Sequence, residues 1–211
     1  MLDGWRRRRG GAAPDLGAAT DEALLVLAQG GDTAAFEMLV HRYTQPLFAF
    51  ATRILGSADD AADVVQHTFI QCYNALPRLR SDTALRPWFY RVARNRCLDL
   101  IRQRRTLPTD VPRDNEDEVD ALTMIADSGP SLESLAERHD LQRLLAEAIA
   151  GLPSKYREVV VLRYEGDLTF GEIAETLGIP ENSAKTLFQR AKTMLRLALR
   201  EWVREDSVRD M

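Results

Sequence analysis

From Asp21 onward the apolar residues recur every three or four positions, the spacing that lines one face of a helix. Asp21–Gln29 reads as a short amphipathic helix stopped by Gly30-Gly31. Asp32 then caps a long one, in which Phe36, Leu39, Val40, Tyr43, Leu47, Phe50, Ala51, Ile54 and Leu55 keep the 3.6 period. Pro46 predicts a bend within it. Gly56 ends that helix, and Ser57 with Asp60 has the spacing of a capping box. The helix that follows runs to about Ala75 and buries Ala61, Val64, Val65, Phe69 and Cys72. A loop over Leu76–Arg86, punctuated by Pro77 and Pro87, leads to a further helix ending near Arg105. Phe89, Val92, Ala93, Cys97, Leu100 and Ile101 are its inward face. No stretch alternates with the strand period, so residues 21–105 predict a compact all-α domain.

The periodicity lapses over residues 106–130, where three prolines accompany an acidic run, and this segment reads as a linker. Extended at about 3.3 Å per residue, it would reach about 80 Å. Helices resume near Ser131 with Leu132, Leu135, Leu141, Leu144, Leu145 and Ile149, break at Gly151 and Pro153, and continue the core through Val159–Leu162. Residues 131–205 thus form a second all-α domain, followed by a short tail over 206–211. Leu168–Arg196 is its most informative part. Thr169 and Glu172 form a capping box; Ile173, Ala174 and Leu177 line one face; Gly178 turns with positive φ, and Ile179-Pro180 ends the helix. A second helix from about Asn182 buries Ala184, Leu187, Ala191 and Leu195. Its other side presents Ser183, Lys185, Thr186, Gln189, Arg190 and Lys192, donors suited to base edges and phosphates in a major groove. The pattern is a helix-turn-helix.

A net charge of −4 over 211 residues looks wrong for a DNA-binding chain until it is mapped. Pro77–Arg105 carries nine arginines against Asp82 and Asp99, whereas Asp110–Asp120 is acidic but for Arg113. Two opposite fields are segregated along the chain. Residues 1–20, rich in Gly, Ala and Arg, read as a disordered basic tail. Cys72 and Cys97 lack metal-ligand spacing and predict buried free thiols. His67 lies four residues after Asp63, a pairing that reads as a solvated ion pair. No apolar run reaches membrane-spanning length and the N-terminus lacks the apolar core of a signal peptide, so a cytoplasmic setting is expected. Nothing forms a nucleophile-base set, a phosphate-cradling loop or a zinc pattern; neither enzymatic activity, nor a cofactor, nor a metal is expected.

Three blocks in order, Ser57–Tyr73 (SADDAADVVQHTFIQCY), Arg86–Arg102 (RPWFYRVARNRCLDLIR) and Leu152–Arg196, resemble the extracytoplasmic-function branch of the sigma-70 family, the promoter-recognition subunits of bacterial RNA polymerase. The resemblance covers about Asp21–Trp202 apart from the linker. It implies that the first domain docks on the clamp helices of core polymerase through Asp59, Asp60, Asp63 and Gln66. Taken alone, that acidic face reads as solvated surface. The resemblance also implies that this domain recognises and opens the −10 element. Arg78, Arg80 and Arg86 would flank the base-holding loop, and Tyr90, Arg91, Arg94, Asn95 and Arg102, with Arg105, would guide the separated strand. Flipping a base costs a few kcal/mol, stacking on an aromatic returns about 1–3 kcal/mol, and arginines supply a salt-dependent remainder. Helical phase places Phe89 in the core and favours packing for Trp88. Tyr90 is expected outward, as the better stacking platform.

The −35 element falls to Ser183, Lys185, Thr186, Gln189 and Arg190. Where the family often opens this helix with Gly-Thr-Val, the chain has Asn182-Ser183-Ala184, which keeps a good helix start but transfers no particular −35 sequence. The acidic linker would thread the polymerase's RNA path. Implied partners are core RNA polymerase, promoter DNA (duplex at −35, single-stranded at −10) and an anti-sigma factor. A stand-alone helix-turn-helix regulator, working without polymerase, is the alternative. A helical signalling adaptor is a third reading, and nothing favours an enzyme.

Overall fold

The computed structural model of the chain describes residues 16–106 and 143–209. The predicted basic tail up to residue 15, the acidic linker from 107 and the expected helix start near Ser131 lie outside the described residues. The first block comprises α1 (Asp21–Gln29), α2 (Thr33–Leu55), α3 (Ala58–Ala75), a 3₁₀ turn over Leu76–Arg78 and α4 (Leu85–Thr106). The starts of α1, α2 and α3 have a local cause. Thr20 Oγ1 accepts from the Ala23 N–H (3.3 Å), Asp32 Oδ1 from those of Ala34 and Ala35 (3.1 and 3.3 Å), and Ser57 Oγ from that of Asp60 (3.3 Å). Ser57 and Asp60 do not close the expected reciprocal box. The Asp60 carboxylate pairs instead with Arg104, a full charge being the stronger partner than a backbone N–H. Pro46 lies inside α2 without ending it.

Leu39, Leu47, Phe50, Val64, Phe89 and Cys97, all fully buried, bring α2, α3 and α4 together. Tyr43 and Phe89 stack with ring centroids 4.5 Å apart, and Phe69 meets Phe89 edge-on at 5.8 Å. Trp88 packs half-buried beside Phe89 (5.5 Å), in keeping with its helical phase. Helix α4 starts at Leu85, so Arg86 and Pro87 belong to its first turn rather than to the loop; proline is tolerated there because its missing N–H would have no helical partner.

The second block holds a helical stretch over 143–150 (α5), α6 (Ser154–Tyr164), α7 (Phe170–Leu177) and α8 (Glu181–Arg209). The Thr169–Glu172 capping box closes in both directions, at 3.2 Å and 2.8 Å. Gly178 ends α7 with φ of +67°, the left-handed conformation that glycine adopts without steric cost. Pro180 starts α8, its carbonyl accepting from Ser183 (2.9 Å) and Ala184 (3.1 Å). Ala184, Ala191 and Leu195 are buried as expected, Leu187 is half-buried, and Phe188 is a further core residue, tilted against Tyr164 and edge-on to Phe170. The two blocks are not separate: α6 packs on α2 and α7 on α4, and buried side chains of both form one continuous core.

Candidate nucleic-acid and docking interfaces

On α8, the residues that follow buried Ala184, Phe188 and Leu195 face water. Ser183, Lys185, Thr186, Gln189 and Arg190 are all exposed, one-sided because Ala184, Phe188 and Ala191 anchor the opposite face. Lys185 is held by Glu181 one turn earlier (2.8 Å), and the Thr186 hydroxyl donates to the Asn182 carbonyl (2.8 Å). Such a surface ion pair is weak enough for phosphate to replace. Lys192 is half-buried with its ammonium 5.8 Å from the Phe188 ring centroid. The second helix of the motif therefore exposes five of the six expected donors, Lys192 being the exception.

On α3, Asp59, Asp63 and Gln66 are exposed, whereas Asp60 is partly covered by its pair with Arg104. The same stripe continues to Ile70 and Tyr73, which are 51% and 64% exposed although apolar. Positions 59, 63, 66, 70 and 73 follow one another at alternating spacings of four and three, so they share a face. Sequence reasoning stopped at Gln66. The continued spacing past it was the signal for Ile70 and Tyr73.

The arginine-rich region is divided. Arg78 is exposed beside the 3₁₀ turn. Arg80 grips Asp82 in a two-pronged contact (3.0 and 2.9 Å), which holds the Asp82 carboxyl below its ordinary range. The loop is tied to α1 by the Gln29 side-chain amide, which donates to the carbonyls of Leu76 (2.8 Å) and Leu79 (2.6 Å). Asn95 is exposed, and Arg102 is exposed beside Asp99 (3.2 Å). The side chain of Arg105 lies outside the described residues.

Tyr90, Arg86, Arg91 and Arg94 meet the second block instead of solvent. Arg94 Nε lies 2.5 Å from Glu158 Oε2, Arg91 reaches Glu175 (2.6 Å), and Arg86 donates to the Asp167 carbonyl (3.4 Å). Tyr90 corrects the sequence reading: it is buried, not outward. Its ring meets Phe50 edge-on (5.3 Å) and its hydroxyl donates to the Glu165 carbonyl (3.3 Å). The reason is that α4 is packed on two sides, by α2 and α3 and by α7, so helical phase relative to one core does not decide exposure. Burial pushes the Tyr90 phenol above its ordinary range. The signal for the second contact lay in α6. Glu158, Val159, Val160, Val161 and Leu162 are buried in succession, and a helix apolar all round has partners all round.

Both thiols are buried as expected, and desolvation pushes each from 9.0 to about 12. Among the described residues no cluster of three His, Cys, Asp or Glu side chains could hold a metal, and no helix is long and apolar enough to cross a membrane.

Residues 39–106 match the sigma-70 region 2 family and residues 142–195 the sigma-70 region 4 family. The chain is 31% identical over 179 residues to an ECF RNA polymerase sigma-E factor of Haemophilus influenzae, spanning 83% of this chain and 93% of the relative. It is 33% identical over 177 residues to the ECF RNA polymerase sigma factor SigW of Bacillus subtilis, spanning 81% and 92%. Among solved structures it is similar to CnrH in complex with the cytosolic domain of CnrY, at 26% identity and a TM-score of 0.64 over 86% of this chain and 97% of that one. It shares the fold of RpoE from Bartonella quintana, solved with the anti-sigma factor NepR, at 20% identity and a TM-score of 0.60 over 78% and 96%. The likeness spans both blocks in order, beyond what a helix-turn-helix regulator alone would share.

Proposed function

The chain belongs to the extracytoplasmic-function branch of the sigma-70 family, and from that membership we propose that it is the subunit that gives core RNA polymerase its promoter choice. It binds core polymerase and directs initiation at promoters that it reads at two places. One observation carries this reading. Two blocks with the two sigma-70 regions occupy one chain in order, and the second presents an exposed, donor-rich helix at its helix-turn-helix.

In this reading α8 enters the major groove at −35. Arg190 and Gln189 are placed for base edges, and Lys185 and Ser183 for phosphates. Arg78, Arg80, Arg86, Arg91, Arg94, Asn95 and Arg102 serve the −10 strand. The stripe of Asp59, Asp63 and Gln66 docks on core polymerase, with Asp60 at its edge; Ile70 and Tyr73 extend it with apolar area that water would otherwise solvate. The protein works in the cytoplasm, where polymerase is, and acts by binding rather than by chemistry. Relatives solved with inhibitory or cytosolic partners support an anti-sigma partner here too.

Run-off transcription with sigma-free core polymerase tests the reading. Added chain should start transcription at a defined promoter. Arg190→Ala should cost about 1–3 kcal/mol of −35 discrimination, seen as a weaker preference between promoter variants, while Lys185→Ala should weaken all of them alike. Transcription that ignores both substitutions would contradict the assignment of α8.

A further inference from the structure

Helix α3 ends at Ala75, where its last carbonyls lose the next turn that would donate to them. Gln29, the final residue of α1, supplies donors there from 47 and 50 residues away. Its side-chain Nε2 donates to the Leu76 carbonyl at 2.8 Å and to the Leu79 carbonyl at 2.6 Å. Both partners are acceptors, so only the NH2 end of the amide fits, and both of its N–H groups are used. The two carbonyls bracket Pro77 and exposed Arg78, the 3₁₀ turn from which the loop departs. The far half of the loop stiffens itself, through the Arg80–Asp82 fork and the Thr83 N–H on the Arg80 carbonyl (3.0 Å). Buried Leu76 and Leu85 fix its two ends.

Gln29 is itself rigidly presented. Leu24, Leu25 and Ala28 bury the inner face of α1. Asp21, in the first turn, pairs with Arg42 and accepts from the Tyr43 hydroxyl, both on α2. Gly30 and Gly31 close the helix directly behind Gln29, their N–H groups donating to the carbonyls of Val26 (3.1 Å) and Ala28 (3.0 Å). A polar residue at an exposed helix end ordinarily points into water. Here both donors are committed across the chain to one loop.

We propose, resting on the assignment of this loop to the −10 base, that Gln29 is a positioning residue for promoter selection. It presets the shape of the loop without touching DNA. A site that selects among bases must be held to within about 0.5 Å. A loop ordered beforehand loses less freedom on binding, and it yields less to a base that does not fit. Helix α1 thereby takes part in −10 choice through the loop it holds.

The test uses holoenzyme assembled from core polymerase and the full chain. Open-complex formation is measured on promoters that differ by one base in the −10 or in the −35 element. Gln29→Met keeps the length and net charge of the side chain, is as good a helix former, and removes both donors. Its −10 preference should fall about threefold to tenfold, each lost hydrogen bond being worth a factor of a few. Preference at −35 and affinity for core polymerase should match wild type. Gln29→Glu keeps the shape but turns only acceptors towards two acceptors, and should lose at least as much. Retention of the −10 preference by either variant overturns the proposal. So does an equal loss at −10 and −35, which would mark Gln29 as a general support of the fold. A wild-type holoenzyme that starts transcription with no −10 preference would instead contradict the assignment of the loop, and the same promoters read that outcome separately.

Discussion

Arg91 and Arg94 sit three residues apart on α4, yet their ion pairs differ in kind. The Arg94–Glu158 pair is largely covered, the Glu158 side chain being only 10% exposed, so removing the arginine strands a buried carboxylate. Arg94→Ala should cost about 3 kcal/mol in urea unfolding. Arg91 and Glu175 are both half-exposed, and Arg91→Ala should cost less than about 1 kcal/mol. A DNA-binding test on α4 is therefore cleaner at Arg91. Titration adds a second residue-level prediction. Cys72 and Cys97 are raised from 9.0 in the unfolded chain to about 12 by burial. Their contribution to stability is complete below about pH 9 and is lost as pH rises towards about 12, because the unfolded thiols ionise first. The urea midpoint should fall between pH 8 and pH 10.5, and fall less steeply in a Cys72→Ala/Cys97→Ala variant. Parallel curves would contradict this. Burial of the thiols was legible from their apolar neighbours. Burial of Tyr90 was not, because its cover comes from Phe50 on α2 and from Glu165, both distant in sequence.

Helices α1 to α4 and the helix-turn-helix were legible because their starts and stops are local: Thr20, Asp32, Ser57 and Thr169 cap within three residues, and Gly56 and Gly178 turn in place. Element stability should follow the same local chemistry. Thr169→Ala removes the side-chain half of the capping box, leaving the backbone N–H of residue 169 to the Glu172 carboxylate, and should cost about 1 kcal/mol. Gly178→Ala forces a side chain into left-handed backbone and should cost about 1–2 kcal/mol. Both are read by denaturant unfolding, and −35 affinity per folded molecule should not change. On α3 the legible part was the polar half of the stripe. Its apolar end at Ile70 was hidden, since an apolar residue on a helix is normally assigned to the core. Ile70→Ser should leave stability within about 0.5 kcal/mol, as surface changes do, and still weaken polymerase binding. A loss of stability instead would place Ile70 in the fold.

For the whole molecule, the two-block organisation and the segregation of charge were legible, and the relation between the blocks was not. Periodicity reports one apolar face per helix, and α4 and α6 each pack against three other helices. The arginine face that pattern assigns to solvent is in part an interface between domains. The most direct measurement is co-purification with sigma-free core polymerase, wild type against Asp63→Arg/Gln66→Ala. A stable complex that the double variant weakens, with its fold intact, is the predicted result. A wild-type chain that retards duplex DNA but passes core polymerase by would contradict the account.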